Sequence, residues 1–306
     1  MVSIYGIVIT TGVLISTLFV EHLIKKYQPK FSVFKAEKSN PIISTDDFWN
    51  AILWVSFLAF IGARLYHVID YLEYYALNPQ EIIKTWEGGM GIFGGVFGGI
   101  FGIFIFSFLK SKSFIKKYKG KKPNGVKTLF SYFYTLADYI VLGAPLAQAI
   151  GRWGNYFNNE LFGKPTNLPW AITIPFDKRP EGLKLYETFH PLFLYESILN
   201  LILFGVLFLF FSRKKAVSFP GLLLFTYLIG YSLIRLILEP LHINPWTAYS
   251  IPTASLISIS IILTSALIIV FRLKRQKNKT QKRLLSLDNN RKNKRGMPRF
   301  FKKKSK

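Results

Sequence analysis

Seven predominantly apolar stretches, near positions 4–22, 48–70, 89–109, 129–150, 191–212, 219–239 and 250–271, are each long enough for an α-helix to cross the hydrocarbon core of a bilayer. A chain in hydrocarbon must satisfy its own backbone polar groups, so lone runs of this kind fold as helices. The pattern predicts an all-α, polytopic membrane protein with about seven transmembrane helices. No repeat of 20–50 residues and no break in composition marks a separate soluble unit, so one membrane domain is expected over residues 1–271. No basic segment precedes Tyr5 and no small-residue cleavage pattern follows the first run. That run is therefore expected to be a retained span, not a cleavable signal peptide.

The chain is 50% hydrophobic yet carries a formal charge of +24, and the two properties are segregated. Lysines 25, 26, 30, 35 and 38 follow the first span, lysines crowd positions 110–127 after the third, and Arg213, Lys214 and Lys215 follow the fifth. The intervening loops are poor in basic residues. Cytoplasmic loops are enriched in lysine and arginine, which places the N-terminus outside and the C-terminus inside. Residues 272–306 form a basic tail of few aromatics and no apolar period, expected to be disordered. Such a tail can neutralise nucleic-acid phosphates. Beside a membrane domain it is instead attracted to anionic inner-leaflet lipid, by about 1 kcal/mol per basic residue, so membrane lipid and no nucleic acid is the expected partner.

The chain has no cysteine, so a thiol in its chemistry belongs to a substrate. His22, His67, His190 and His242 form no cluster with ligand spacing, and neither a metal nor a cofactor is expected.

The residues that point to a site are Gly151 to Gly163, GRWGNYFNNELFG. They set Arg152, Asn155, Asn158, Asn159 and Glu160 against the end of an apolar run, where such groups are costly unless something engages them. The proline-bearing connection from Gly151 to His190 is too polar to span and is expected to form a small extracytoplasmic cap. With the orientation above, Tyr5, Arg64, Asp70, Arg152, Glu196, Arg235 and Glu239 share the outer level, and Asp138 lies near the middle of its span. Each has a plain structural alternative: Arg235 and Glu239 pair along one helix face, Arg64 snorkels, and Asp138 packs between helices. Their common depth favours one cavity. Guanidinium groups grip phosphate through paired donors, so Arg152 and Arg235 are the expected anion contacts, with Asn155 and Asn158 at the polar head. In the third span, Gly91, Gly95 and Gly99 form one ridge and Gly94, Gly98 and Gly102 another, which suits close helix packing. Gly88, Gly89, Gly94 and Gly95 would alternatively keep a pocket mouth open for lipid.

The segment GRWGNYFNNELFG resembles the signature of bacterial prolipoprotein diacylglyceryl transferases, G-R-x-G-N-F-x-N-x-E-x-x-G. Gly151, Arg152, Gly154, Asn155, Asn158, Glu160 and Gly163 fit it, and Tyr156 replaces a phenylalanine. Tyr5-Gly6, Gly62-Ala63-Arg64-Leu65, Trp86 to Met90, His190-Pro191 with Tyr195-Glu196, and Arg235 with Glu239 resemble further family motifs in the same order. The resemblance implies a multi-pass enzyme of the cell membrane that works toward the outer leaflet. It would transfer diacylglycerol from phosphatidylglycerol to the lipobox cysteine of a preprolipoprotein, form a thioether and release glycerol phosphate. On this resemblance Arg152, Arg235, Tyr5, Glu160 and Glu239 are catalytic candidates, and Arg152, Asn155, Asn158, Gly163, Arg64, Gly94 and Gly95 substrate-binding ones.

Two departures from the family bear on its polar chemistry. Phe93 stands where the family places a histidine proposed as general base, and Phe193 where it has a glutamine. Glu160, Glu239 and His67 are replacement candidates for the base. The alternatives are an outward-facing transporter of anionic lipid and a catalytically impaired lipid binder. A transporter usually shows internal repeats and a midplane site, and neither is legible here.

Overall fold

The computed structural model describes residues 4–31, 43–117, 123–213, 219–248 and 251–296. Its long helices are α1 (Ile4–Phe31), α2 (Thr45–Asp70), α4 (Ile92–Lys117), α5 (Gly125–Phe157), α6 (Leu192–Ser212), α7 (Leu222–Leu238) and α8 (Thr253–Gly296), with a short α3 (Leu72–Leu77) after α2. Seven are long and apolar enough to cross a membrane, as the sequence predicts. Two small antiparallel pairs, β1 (Ile172–Thr173) with β2 (Thr188–Phe189) and β3 (Thr247–Ala248) with β4 (Ile251–Pro252), lie in the connections. The expected disorder from residue 272 meets a difference: α8 runs unbroken to Gly296, through lysines, arginines, glutamines and leucines that all favour helix. Residues 297–306 of that tail lie outside the described residues, as do Lys35, Lys38, Lys214 and Lys215 of the basic loops.

Start and stop signals fix the spans. Ser44 caps α2 through a reciprocal capping box with Asp47, and Asn124 caps α5 by accepting from the Lys127 amide at 2.9 Å. The start of α7 has no capping side chain of its own. Instead Asp138 of α5 accepts from the amides of Gly221 at 2.7 Å and Leu224 at 2.8 Å. Exposed amides at a helix N-terminus favour a carboxylate, so Asp138 joins α5 to the start of α7. Arg272 of α8 completes the joint, donating to the Pro220 carbonyl at 2.8 Å with its guanidinium over the Tyr134 ring.

Helix α5 is the most buried of the spans; α1, α4, α6 and α7 pack on it, and α2 packs on α4. The α2–α4 contact shows what the glycine ridges do. A Cβ at Gly94 would strike the Gly62 carbonyl oxygen, one at Gly98 the Leu58 carbonyl, and one at Gly102 would lie 2.9 Å from the Val55 Cα. The backbones meet directly, so the Gly94 ridge is packing surface, and Gly95 faces Ala59 and Ala63. Gly94→Ala should therefore cost about 1–3 kcal/mol by overpacking, read as earlier thermal unfolding in detergent; wild-type stability would count against this packing.

Antiparallel succession brings the start of α1, the ends of α2, α5 and α7, and the starts of α4 and α6 to one end of the bundle. Tyr5, Arg64, Arg152, Glu196 and Arg235 are all carried there, while Lys25, Lys110, Lys117 and Lys127 lie at the other end.

Candidate active site

The last turns of α5 present Arg152 and Asn155, three residues apart and so on one face. The helix stops at Phe157, and the chain then turns sharply through Asn159 at φ 52° and Leu161 at φ 55°. Asn tolerates this left-handed region, but a leucine there is strained. Contacts on either side hold the turn: the Glu160 amide donates to the Asn155 carbonyl at 2.8 Å, and the Phe193 amide to the Leu161 carbonyl at 3.1 Å. Glu160 is thereby swung back over the helix end. Its two carboxylate oxygens face the side-chain amides of Asn155 and Asn158 at 3.4 Å each, and the Asn155 carbonyl oxygen faces Arg152 Nη1 at 3.4 Å. At that length the bonds are weak, but their order is informative. Glu160 reaches Arg152 through Asn155, and the two amides are turned toward Glu160.

The centre of the arrangement is Glu196, on the second turn of α6 and only 1% exposed. Arg152 Nε lies 2.5 Å from one of its oxygens and Arg235 Nη1 3.6 Å from the other. Neither oxygen receives an aligned hydrogen bond, so proximity of charge holds the three residues together. Arg235 also donates from Nη2 to Glu239 at 3.0 Å, and its Nη1 lies 3.2 Å from His242 Nε2. Two guanidinium groups from α5 and α7 are thus joined by a buried carboxylate from α6, with a second buried acid, Glu239, beside them. A buried ion group of this kind is costly to desolvate and adds little net stability, yet it is strongly destabilised when one partner is removed. About a quarter of each arginine side chain is exposed, whereas Glu196 and Glu239 are buried.

Gly163 positions this centre from behind. Its amide donates to the His190 carbonyl at 2.8 Å, and the next amide, of Lys164, donates to the Leu241 carbonyl at 2.9 Å. A Cβ on Gly163 would come within 2.8 Å of that Leu241 oxygen. The glycine therefore lets the turn after α5 lie directly on the turn after α7, which carries Glu239 and His242. Tyr5 packs its ring against Gly154, where a Cβ would be 3.0 Å from the ring. The connection between Gly163 and His190 is pinned to α6 by Trp170 Nε1, which donates to the Tyr195 hydroxyl at 2.7 Å; that oxygen also lies 3.2 Å from His190 Nδ1.

Arg64 does something else. Its Nε donates to the Ile82 carbonyl at 2.7 Å, Nη1 to Gly88 and Gly89 at 2.8 and 2.9 Å, and Nη2 to Glu81 at 2.5 Å. Gly88 and Gly89, at φ 99° and 72°, allow the loop to aim two successive carbonyls at one guanidinium. His67 packs beside it against Gly89 and the rings of Tyr71 and Tyr75. Arg64 is a buried strut for residues 81–89, with most of its N–H donors engaged by carbonyls of that loop.

Comparison with known proteins shows the family to which these motifs belong. The family model described as prolipoprotein diacylglyceryl transferase matches residues 1–271. The chain belongs to that family. Among its relatives, the phosphatidylglycerol--prolipoprotein diacylglyceryl transferase of Trichormus variabilis is 36% identical over 260 residues, covering 84% of this chain and 80% of the relative. Its counterpart in Fervidobacterium nodosum is 34% identical over 262 residues, covering 86% and 78%, and that in Thermotoga petrophila is 35% identical over 259 residues, covering 85% and 77%.

Within this member of the family, Arg152, Arg235 and Glu239 come together as a single group, and Asn155, Asn158 and Glu160 form its flank. Arg64, His67, Gly94 and Gly95 belong to the α2–α4 packing unit and its loop. Phe93 is 61% exposed and meets only the ring of Tyr66, 6.1 Å away, among the described aromatic contacts. Two residues lay outside the candidate set. Glu196 was legible as an acid at the right depth and as part of a motif with Tyr195, but its role was not, because no spacing in sequence reveals that helices α5 and α7 both turn an arginine toward it. His242 had a readable signal: it follows Arg235 by seven residues and Glu239 by three, the spacings of one helix face.

Proposed function

We propose that this protein transfers the diacylglyceryl group of phosphatidylglycerol to the cysteine thiol of a preprolipoprotein lipobox, with Arg152 and Arg235 holding the lipid phosphate. The pair of guanidinium groups flanking Glu196 at one end of the bundle is the observation that carries this assignment of roles. The thiolate sulfur bonds to the terminal glycerol carbon, and the bond from that carbon to the phosphate oxygen breaks, its electron pair leaving with glycerol phosphate. The phosphate carries one negative charge as a diester and gains a second as the bond breaks. Fixed guanidinium groups therefore hold it more strongly in the transition state than in the bound lipid, the condition for catalysis and not merely binding.

Glu196 and Glu239 serve this by fixing both arginines before the lipid arrives, and Glu160 steers Arg152 through Asn155. Tyr5, against Gly154, and Gly163, beneath the Leu241 turn, support the same centre. Asn158 lies at the rim for polar contacts with the headgroup. The arginine end is proposed to face the outer leaflet of the cell membrane, because Lys25, Lys26, Lys110, Lys116, Lys117 and Lys127 gather at the opposite end and basic residues favour the cytoplasm. The connection 158–190 is then an outer cap.

The reading is tested with purified protein, phosphatidylglycerol and a lipobox peptide. Mass spectrometry should show the peptide heavier by one diacylglyceryl group on its cysteine, with glycerol phosphate released in equal amount. Folded protein that moves lipid across a bilayer or binds it without modifying the peptide would replace this reading with the transporter or binder.

A further inference from the structure

A thiol attacks as its thiolate, so the reaction needs a group that takes the cysteine proton close to the phosphate-binding arginines. Of the four histidines, only His242 touches either arginine among the described contacts. His67 is packed beneath Gly89, and His190 is bound to Tyr195. His242 sits at the end of the 3₁₀ turn Glu239–Leu241, just beyond the span Leu222–Leu241. It is half-buried and held in place by the bond from the Lys164 amide to the neighbouring Leu241 carbonyl.

Its contact with Arg235 fixes its protonation. A guanidinium only donates, so His242 Nε2, 3.2 Å from Arg235 Nη1, must present its lone pair, and the ring is neutral with its hydrogen on Nδ1. The groups facing it agree. Burial first, and then the charge of Arg235, hold the imidazole below its ordinary value, with Arg152 on α5 acting in the same sense; Glu239 and Glu196 on α6 oppose them. While Arg235 occupies Nε2, this base is masked.

We infer that His242 is the proton acceptor for the substrate thiol, and that the lipid phosphate unmasks it by drawing Arg235 Nη1 away from Nε2. The inference rests on the transferase reading above. The S–H bond breaks and an Nε2–H bond forms; the sulfur–carbon bond then forms as the carbon–oxygen bond to phosphate breaks. The departing glycerol phosphate, one charge more negative, takes the proton from the imidazolium, which restores the neutral ring. Deprotonation is thereby coupled to the presence of lipid. With the site empty, the positive charge of Arg235 opposes protonation of the ring; with the site filled, the phosphate offsets that charge.

The test uses two lipobox peptides, one with cysteine and one with selenocysteine, whose selenol is already ionised at neutral pH and needs no base. His242→Gln retains an acceptor for Arg235 but cannot take a proton. It should lower the cysteine rate by about 100-fold or more at pH 7, the usual contribution of a general base, while the selenocysteine rate falls far less. The cysteine rate of this variant should recover as pH rises toward about 8.5, where a free thiol ionises by itself. Equal losses on both peptides, or no loss on either, would overturn the assignment. If His242→Gln does not fold, His242→Asn is read by the same ratio of rates, and a ratio equal to that of the unaltered protein overturns it too. Failure of the unaltered protein to modify either peptide would sink the transferase reading itself.

Discussion

Arg152→Ala should leave no measurable transfer to a lipobox peptide, a fall of at least about 10³-fold. Loss of a single preorganised donor to a developing oxyanion typically costs about 10²–10³, and this arginine has a second task. It is the closer partner of Glu196, which is 1% exposed and has no aligned hydrogen bond to replace the lost charge. Removal therefore takes away a phosphate contact and also releases Glu196 toward Arg235, turning that guanidinium from its place. Arg152→Lys separates the two effects. An ammonium retains the charge that Glu196 needs but offers no planar pair of donors, so it should restore stability while activity stays well below that of the unaltered protein. Phosphatidylglycerol-dependent product, measured by mass spectrometry beside thermal unfolding in detergent, reads both. Full activity in Arg152→Lys would remove the case for paired guanidinium recognition.

Glu196→Gln carries the next largest effect, with a different signature. The neutral amide leaves Arg152 and Arg235 facing one another without their shared counter-charge. Breaking a buried ion group by removing one member costs roughly 3–5 kcal/mol, and partial exposure of both guanidinium groups places this case near the lower end, about 3 kcal/mol. The variant should unfold earlier in detergent and lose most of its activity, although Glu196 itself forms no bond to the leaving group in the proposed reaction. Because the arginines are then held less firmly, more lipid should be needed for half-maximal rate as well as the maximal rate falling. Unchanged stability and activity would show that the carboxylate is a bystander.

These two expectations differ in how far the sequence foresees them. Arg152 is conspicuous in GRWGNYFNNELFG, where an arginine and amides interrupt an apolar run and fit a family signature. Glu196 lies 44 positions later in the chain, and its meaning comes from the packing of α5, α6 and α7. Arg64 shows the reverse. Its depth and motif suggested a ligand contact, whereas most of its donors go to the carbonyls of residues 81–89, a loop whose course depends on two glycines with positive φ. Asp138 shared the suspicion attached to buried acids, and its place at the α7 N-terminus gives it a structural partner instead.

The sequence by itself determined the class of fold, since runs of about 20 apolar residues in a bilayer leave the helix as their only self-satisfied conformation. Its motifs also carried the family. Those signals are local: length, hydropathy, and spacing along one segment. The tertiary structure alone decided which charged residues meet, because ion pairing among α5, α6 and α7 depends on helix rotation and depth. One residue of difference in register turns a side chain by about 100°. The same packing placed His242 against Arg235.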